Sequence, residues 1–164
     1  MINHISFKEA YINFWRNSID FSGRASRKEY WFPMIVNVVI VLLVIALANH
    51  IDVLLGIDPD KNLSASNIVD KTLGFIFSFA ILSVTVRRFH DINLPGIFAI
   101  IPGCLAMIMV IGALVLSHIG VNTEGFMAKV VPVVLIIIVI VFILTLLKDG
   151  TKGPNKYGED PLNR

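Results

Sequence analysis

Four long runs of this chain contain no Asp, Glu, Lys, Arg or His: Phe32 to Ala48, Leu73 to Val86, Ile97 to Leu116 and Val130 to Leu147. A helix that crosses a bilayer needs about 20 predominantly apolar residues, with roughly 17 as the lower end, so the first, third and fourth runs qualify by themselves. The second is shorter. Ile68 and Val69 precede it, and Arg87 and Arg88 at its end can snorkel to the interface, so it reads as a span, with a buried soluble hairpin as the alternative for this segment only. Composition agrees: 55% of residues are hydrophobic, 16% are charged, and the mean hydropathy is +0.77, above the range of soluble domains. The expectation is an all-α integral membrane four-helix bundle in one domain, with spans at about 32–48, 69–86, 97–116 and 130–147 and a tail at 148–164.

The first thirty or so positions are polar and aromatic, unlike a cleaved signal peptide, and the first span is expected to serve as an uncleaved signal. Cys104, the only cysteine, lies inside the third span and reads as a small hydrophobe. Lys and Arg are unevenly placed. Lys8, Arg16, Arg24, Arg27 and Lys28 precede the first span, Arg87 and Arg88 end the second, and Lys148, Lys152, Lys156 and Arg164 stand in the tail. The other two links hold only Lys61, Lys71 and Lys129. Four spans place the three basic regions on one side, and the positive-inside bias makes that side cytoplasmic, with both termini there.

Phe7, Tyr11, Phe14, Trp15 and Ile19 recur at helical spacing opposite Lys8, Glu9, Asn13, Arg16 and Asn17, predicting an amphipathic helix at about 6–19 that lies in the membrane interface or anchors itself on the bundle. Asp20-Phe21-Ser22-Gly23 ends it. Ser26-Arg27-Lys28-Glu29 fits a capping box, and Tyr30 and Trp31 stand at headgroup level. Pro33 either kinks the helix that follows or opens a separate one. The first outer link, about Asn49 to Lys71, contains Asp58-Pro59-Asp60 as a turn, and its acids lack the spacing of a calcium loop. Ser78, Ser83 and Thr85 are expected to bond helix carbonyls of their own or a neighbouring span.

If the second span continues to Asp91, that carboxylate shares a face with Arg87 four residues back and with Arg88 three back. Gly96, Ala99, Gly103 and Ala106 form a small-residue stripe along the third span, which Pro102 is expected to bend near its start. Pro132 is expected near the first turn of the fourth span, Lys148 in its last turn and Gly150 at its C-cap. Turn-forming residues fill the tail.

Three separated motifs, Phe21-Ser22-Gly23-Arg24 with Arg27, Glu29, Tyr30 and Trp31, then Arg87-Arg88 with His90-Asp91, then Gly153, Asn155, Tyr157, Gly158, Asp160 and Pro161, resemble a bacterial inner-membrane family catalogued as the domain of unknown function 805. The resemblance covers nearly the whole chain and implies a small four-helix membrane protein with no assigned reaction. In that family the stretch after His-Asp usually continues through Gly, a basic residue, Ser-Gly and Trp. This chain has Asn93, Leu94, Pro95, Gly96 and Ile97 there.

The topology gathers Arg24, Arg27, Glu29, Arg87, Arg88, His90, Asp91, Asn155, Tyr157 and Asp160 at one membrane face as the candidate binding cluster. One reading is a partly buried ion-pair layer in which Arg24, Arg27, Arg87 and Arg88 meet Glu29, Asp91, Glu159 and Asp160. Another is arginines gripping an anionic lipid headgroup. Adjacent residues on a helix do not face each other, so His90-Asp91 is a poor catalytic dyad. No nucleophile elbow, zinc motif, Cys pair or phosphate loop occurs, and the four histidines lack metal spacing. The expected function is thus a structural or binding module without cofactor, metal or nucleic acid. Its partners would be membrane lipids, a membrane protein or a second copy, and a small oligomeric channel, lined by Ser78 and Ser83, or a transporter component is the alternative.

Overall fold

The computed structural model of the chain describes residues 5–58, 64–118 and 124–163. Regular structure among them is helical throughout: α1 (Phe7–Arg16), α2 (Arg27–Leu54), α3 (Ala65–Asp91), a 3₁₀ turn (Gly96–Ala99), α4 (Ile101–His118) and α5 (Glu124–Leu147). Three segments are long and apolar enough to cross a membrane, Arg27–Leu54, Ala65–Asp91 and Lys129–Leu147, while the apolar part of α4, Ile101–Leu116, is shorter. At about 1.5 Å per residue, α2 and α3 each reach roughly 40 Å, more than the roughly 30 Å of hydrocarbon. The expected turn at Asp58-Pro59-Asp60 and much of the second outer link lie outside the described residues.

Local chemistry sets the helix ends. Ser6 caps α1 and Ser26 caps α2, each in a reciprocal box with the Glu three residues on, Glu9 and Glu29. α2 then runs unbroken to Leu54 with Pro33 in its second turn, so Pro33 does not open a separate helix. At its far end Gly56 takes φ 64° while the Ile57 and Gly56 amides bond Asp52 and Val53 carbonyls, a Schellman closure. α3 closes the same way. Leu94 and Asn93 donate to Phe89 and His90 carbonyls, and Asn93 adopts φ 62°. Asparagine tolerates this conformation, so Asn93 performs the geometric task for which glycine is the default residue.

Several expectations change here. The helix expected at 69–86 extends to both sides, because Ser64 caps a helix that begins four residues earlier, at Ala65, and the charged end remains helical to Asp91. The helix expected from Ile97 begins later. Pro95, extended at φ −61° and ψ 140°, leads into the 3₁₀ turn, and α4 begins at Ile101. Pro102 therefore occupies a first turn, where its missing N–H costs nothing. Pro132 lies well inside α5, which starts at Glu124. The small-residue stripe is split. A Cβ on Gly96 would come within 2.6 Å of Val86, so Gly96 packs on α3, whereas one on Gly103 would meet nothing within 4 Å.

α1 lies across α2 and α3. Phe7 packs on Phe32 at 4.8 Å and Trp15 on Phe77 at 5.2 Å between ring centroids, and the Tyr11 hydroxyl donates to Asn37 Oδ1 at 3.0 Å. Ala10 and Phe14 are buried, so the apolar face of α1 is turned onto other helices. Ser78 and Thr85 bond carbonyls of α3 itself, and Ser83 donates to the Asn17 and Asp20 carbonyls, which ties the link after α1 to α3. Phe14, Ala25, Tyr30, Ala80, Val84, Phe89, Ile92 and Leu146 form the core. They sit at the end of the molecule where α1, the start of α2 and the ends of α3 and α5 meet.

Candidate functional site

Arg24 reaches this end through a built turn. The Asp20 carboxylate accepts from the Ser22 hydroxyl at 2.6 Å and the Ser22 amide at 2.9 Å, which holds the Asp20 carboxyl below the usual carboxylate range. Gly23 turns the chain at φ 73°, and the Ala25 amide donates to the Arg87 carbonyl at 3.0 Å. These bonds place Arg24 beneath the end of α3. Its Nε donates to Asp91 Oδ1 at 3.0 Å, its Nη2 lies 2.9 Å from the same oxygen and 3.9 Å from Asp160 Oδ1, and its Nη1 donates to the Gly153 carbonyl at 2.7 Å. Thr151 and Gly158 carbonyls accept from it as well.

Asp91 is the hub. Its second carboxylate oxygen takes Arg88 Nη1, and its backbone carbonyl takes the Thr151 amide at 2.8 Å and the Thr151 hydroxyl at 3.1 Å. Arg88 then turns to the end of α5: Nε donates to the Leu146 carbonyl at 3.0 Å, Nη2 to the Lys148 carbonyl, and Nη1 also to Ala25 at 3.4 Å. A helix end leaves its last carbonyls without internal partners and carries partial negative charge, so this guanidinium caps α5 as well as pairing with Asp91. Side chains of Arg24, Arg88, Asp91 and Asp160 are at most 2% exposed.

The other candidate residues fall into two neighbouring groups. His90 stacks on Tyr157 with ring centroids 3.9 Å apart and planes within 6°, and its Nδ1 lies 3.0 Å from the Gly23 carbonyl. Asn155 Nδ2 donates to the His90 carbonyl and to Thr151 Oγ1, and Asn155 Oδ1 accepts from the Tyr157 amide, so this residue folds the tail onto α3. On the other side, Glu29 accepts from Asn13 and from its own cap, while the nearby buried Arg87 donates to the Asn17 carbonyl at 3.5 Å. Arg87 Nε has no hydrogen-bond partner among the described residues.

Two expectations about pairing are corrected. The described ion pairs to Asp91 come from Arg24 and Arg88, not from Arg87, which faces the link after α1. Arg27 pairs with Asp149 at 2.6 Å on the open surface, with side chains 52% and 69% exposed, and Glu159 is exposed. Asp149, Thr151 and Gly150 complete the site without having been singled out for it. Gly150 is not at a left-handed position. A Cβ there would fall 1.9 Å from Asp91 Oδ2, so a glycine is needed because the tail crosses directly over the carboxylate. The turn-rich composition of the tail hinted at such a crossing but could not name the residue beneath it.

Chemically the arrangement is a fastener. Buried guanidiniums are directed at carboxylates and carbonyls of three chain segments, and no group of three or more His, Cys, Asp or Glu among the described residues is placed to hold a metal. A cavity of about 190 Å³, lined by Ser26, Arg27, Lys28, Asp91, Gly150 and Leu162, opens beside it with two basic residues at its rim.

A family model described as "Protein of unknown function (DUF805)" matches residues 18–159, a range that includes every candidate residue except Asp160, one position beyond it. The chain is similar to inner membrane protein YhaI of Escherichia coli (strain K12), 29% identical over 155 residues that cover 92% of this chain and 93% of that protein. It is also similar to inner membrane protein YhaH of the same strain, 26% identical over 151 residues covering 92% and 94%. No solved structure matches.

Proposed function

The chain belongs to the DUF805 family of proteins of unknown function, and from that premise we propose that it is a non-catalytic structural and binding module of the bacterial inner membrane. In this reading α2, α3, α4 and α5 form a four-span bundle, α1 lies along the inner interface, and both termini are cytoplasmic. The basic residues of the N-terminal segment, the end of α3 and the tail, together with two relatives that are inner membrane proteins, support this placement. The buried ion-pair layer locks the cytoplasmic end. The observation that carries the reading is Arg24, a single side chain bonded at once to Asp91 of α3 and to the Thr151, Gly153 and Gly158 carbonyls of the tail.

Because the donors of Arg24 and Arg88 are turned inward, contact with anionic headgroups is left to basic side chains outside the layer, among them the exposed Arg27 and the half-buried Lys28 beside the cavity. Two measurements test the reading. With Cys104→Ala and Lys152→Cys, an impermeant maleimide should label the tail in inside-out vesicles only; labelling of intact cells overturns the orientation. In inside-out vesicles Arg24→Ala should open the tail to trypsin at Lys152 and Lys156, whereas Arg27→Ala, which removes an exposed pair, should not. Equal digestion of Arg24→Ala and the native chain overturns the lock.

A further inference from the structure

An open cleft lies between α5 and the pair formed by α4 and the 3₁₀ turn, with the end of α3 as its floor. It has two continuous parts. The deeper, about 370 Å³, is walled by Phe89, Leu105, Ile137 and Phe142. The outer, about 630 Å³, ends at Ile92 and Lys148. Leu94, Val141 and Thr145 line both parts and join them. The volumes lie in the range of small-molecule sites, roughly 300–1,000 Å³. The interior presents no free donor: the Thr145 hydroxyl donates to its own helix, to the Val141 carbonyl at 2.8 Å.

Length and charge identify the occupant. Along α5 from Ile137 to Lys148 the cleft extends about 16 Å at the helical rise, close to the roughly 15 Å of one hydrocarbon leaflet. Lys148, exposed at its mouth, is the one charged residue among those lining either part, and its side chain has no hydrogen-bond or ion-pair partner among the described residues. Its backbone carbonyl, in contrast, is held by Arg88, which fixes where the side chain starts. An apolar slot one leaflet deep with a cation at its interfacial end matches an acyl chain that carries an anionic head.

We propose that this cleft seats one acyl chain of an anionic phospholipid of the inner leaflet, with Lys148 meeting the phosphate. The proposal rests on the membrane placement given above and deepens the headgroup reading by assigning the contact to Lys148 instead of the Arg27 and Lys28 rim. The test is to reconstitute the full chain from vesicles of equal phosphatidylglycerol and phosphatidylcholine, extract it gently and count retained lipids by native mass spectrometry. The native chain should retain phosphatidylglycerol in excess. Val141→Trp, which fills the junction of the two parts, should lose the bound lipid of both kinds, while Val139→Trp, an exposed α5 position outside the cleft, should keep it.

Lys148→Gln should keep lipid but lower the phosphatidylglycerol preference about fivefold, the ratio equivalent to roughly 1 kcal/mol for one basic residue at an anionic surface. Retention by Val141→Trp equal to that of the native chain overturns the proposal, and so does an unchanged preference in Lys148→Gln. If instead Arg27→Ala with Lys28→Ala abolishes the preference and Lys148→Gln does not, this site is wrong and the rim reading stands. If the maleimide experiment places the tail outside, the leaflet assignment fails first, and the two failures are told apart.

Discussion

Adding one methyl group at Gly150 should undo the lock. The new Cβ of Gly150→Ala would lie 1.9 Å from Asp91 Oδ2, 2.5 Å from Cγ and 2.7 Å from Oδ1, all on one carboxylate. Ordinary contact begins near 3.4 Å, so tail and carboxylate must separate by about 1.5 Å. Asp91 cannot yield without loss, because its two oxygens hold Arg24 at 2.9 Å and Arg88, and a shift of that size takes the first pair beyond hydrogen-bonding distance. The tail cannot yield either without breaking the Thr151 amide bond to the Asp91 carbonyl at 2.8 Å. Losing one partner of a buried ion pair costs about 3–5 kcal/mol, and at about 1.4 kcal/mol per factor of ten the lower figure corresponds to a roughly hundredfold larger population with the tail undocked. Amide exchange at Thr151 reads that population directly. A rate in Gly150→Ala within a fewfold of the native rate would refute the claim that close approach, and not backbone freedom, is why a glycine stands here.

Two further predictions concern the other helix ends. The Asp52 carboxylate accepts from the Ala65 and Ser66 amides at 2.7 and 2.8 Å, clasping the end of α2 to the start of α3, so Asp52→Ala should destabilise the pair by about 1–2 kcal/mol in reversible unfolding and speed exchange at Ser66. This clasp lies at the opposite end from the lock, so the effect should add to that of Gly150→Ala within about 0.5 kcal/mol. At α1, the backbone amide of Ser6 and then its hydroxyl hold the Glu9 carboxyl below the usual range. A lowered value means that the stabilisation of this helix start is full above the ordinary carboxylate pKa and fades as pH falls through the lowered one. Exchange at the Glu9 amide, corrected for the intrinsic pH dependence, should therefore rise only in acid, and Glu9→Gln should remove that dependence.

What the sequence disclosed follows from which interactions have a short-range signature. The capping box at Ser26 and Glu29 and the Arg88–Asp91 pair three residues apart are local, and both stand as read. The meeting of Arg24 with Asp91 and Asp160 agrees with the expected parity of crossings, which puts their three motifs on one face. Matching arginines to acids by count was less informative, because side-chain arithmetic omits the backbone: Arg24 and Arg88 give many of their donors to carbonyls, including those at the end of α5. Counting therefore passed over Asp149, and helical spacing alone set Arg87 beside Asp91 as readily as Arg88, although only Arg88 pairs with it. The start of α4 was hidden for a different reason. An apolar run looks the same in a 3₁₀ turn as in a helix, and Pro102 is compatible with either a bend or a first turn.

The use of arginine at positions 24 and 88 explains how so few side chains hold three segments. A guanidinium presents donors in a fixed planar fork, whereas an ammonium is a single compact charge. Arg88 needs the fork: its Nη1 faces Asp91 while its Nε and Nη2 reach two carbonyls at the end of α5, directions that one Lys nitrogen cannot cover together. The same geometry makes the layer insensitive to the altered loop after it. Asn93 preserves the Schellman closure of α3, and the loop residues Leu94 to Gly96 contribute none of the described bonds to Arg24, Arg88 or Asp91. Loss of the basic residue usual in the family thus falls on the wall of the cleft, where Leu94 now stands, while Ile97, at the position of the aromatic anchor, is exposed outside it, and the lock is left untouched. Variation in this family's loop is therefore expected to change what the cleft accepts, while the residues that join α3, α5 and the tail keep their geometry.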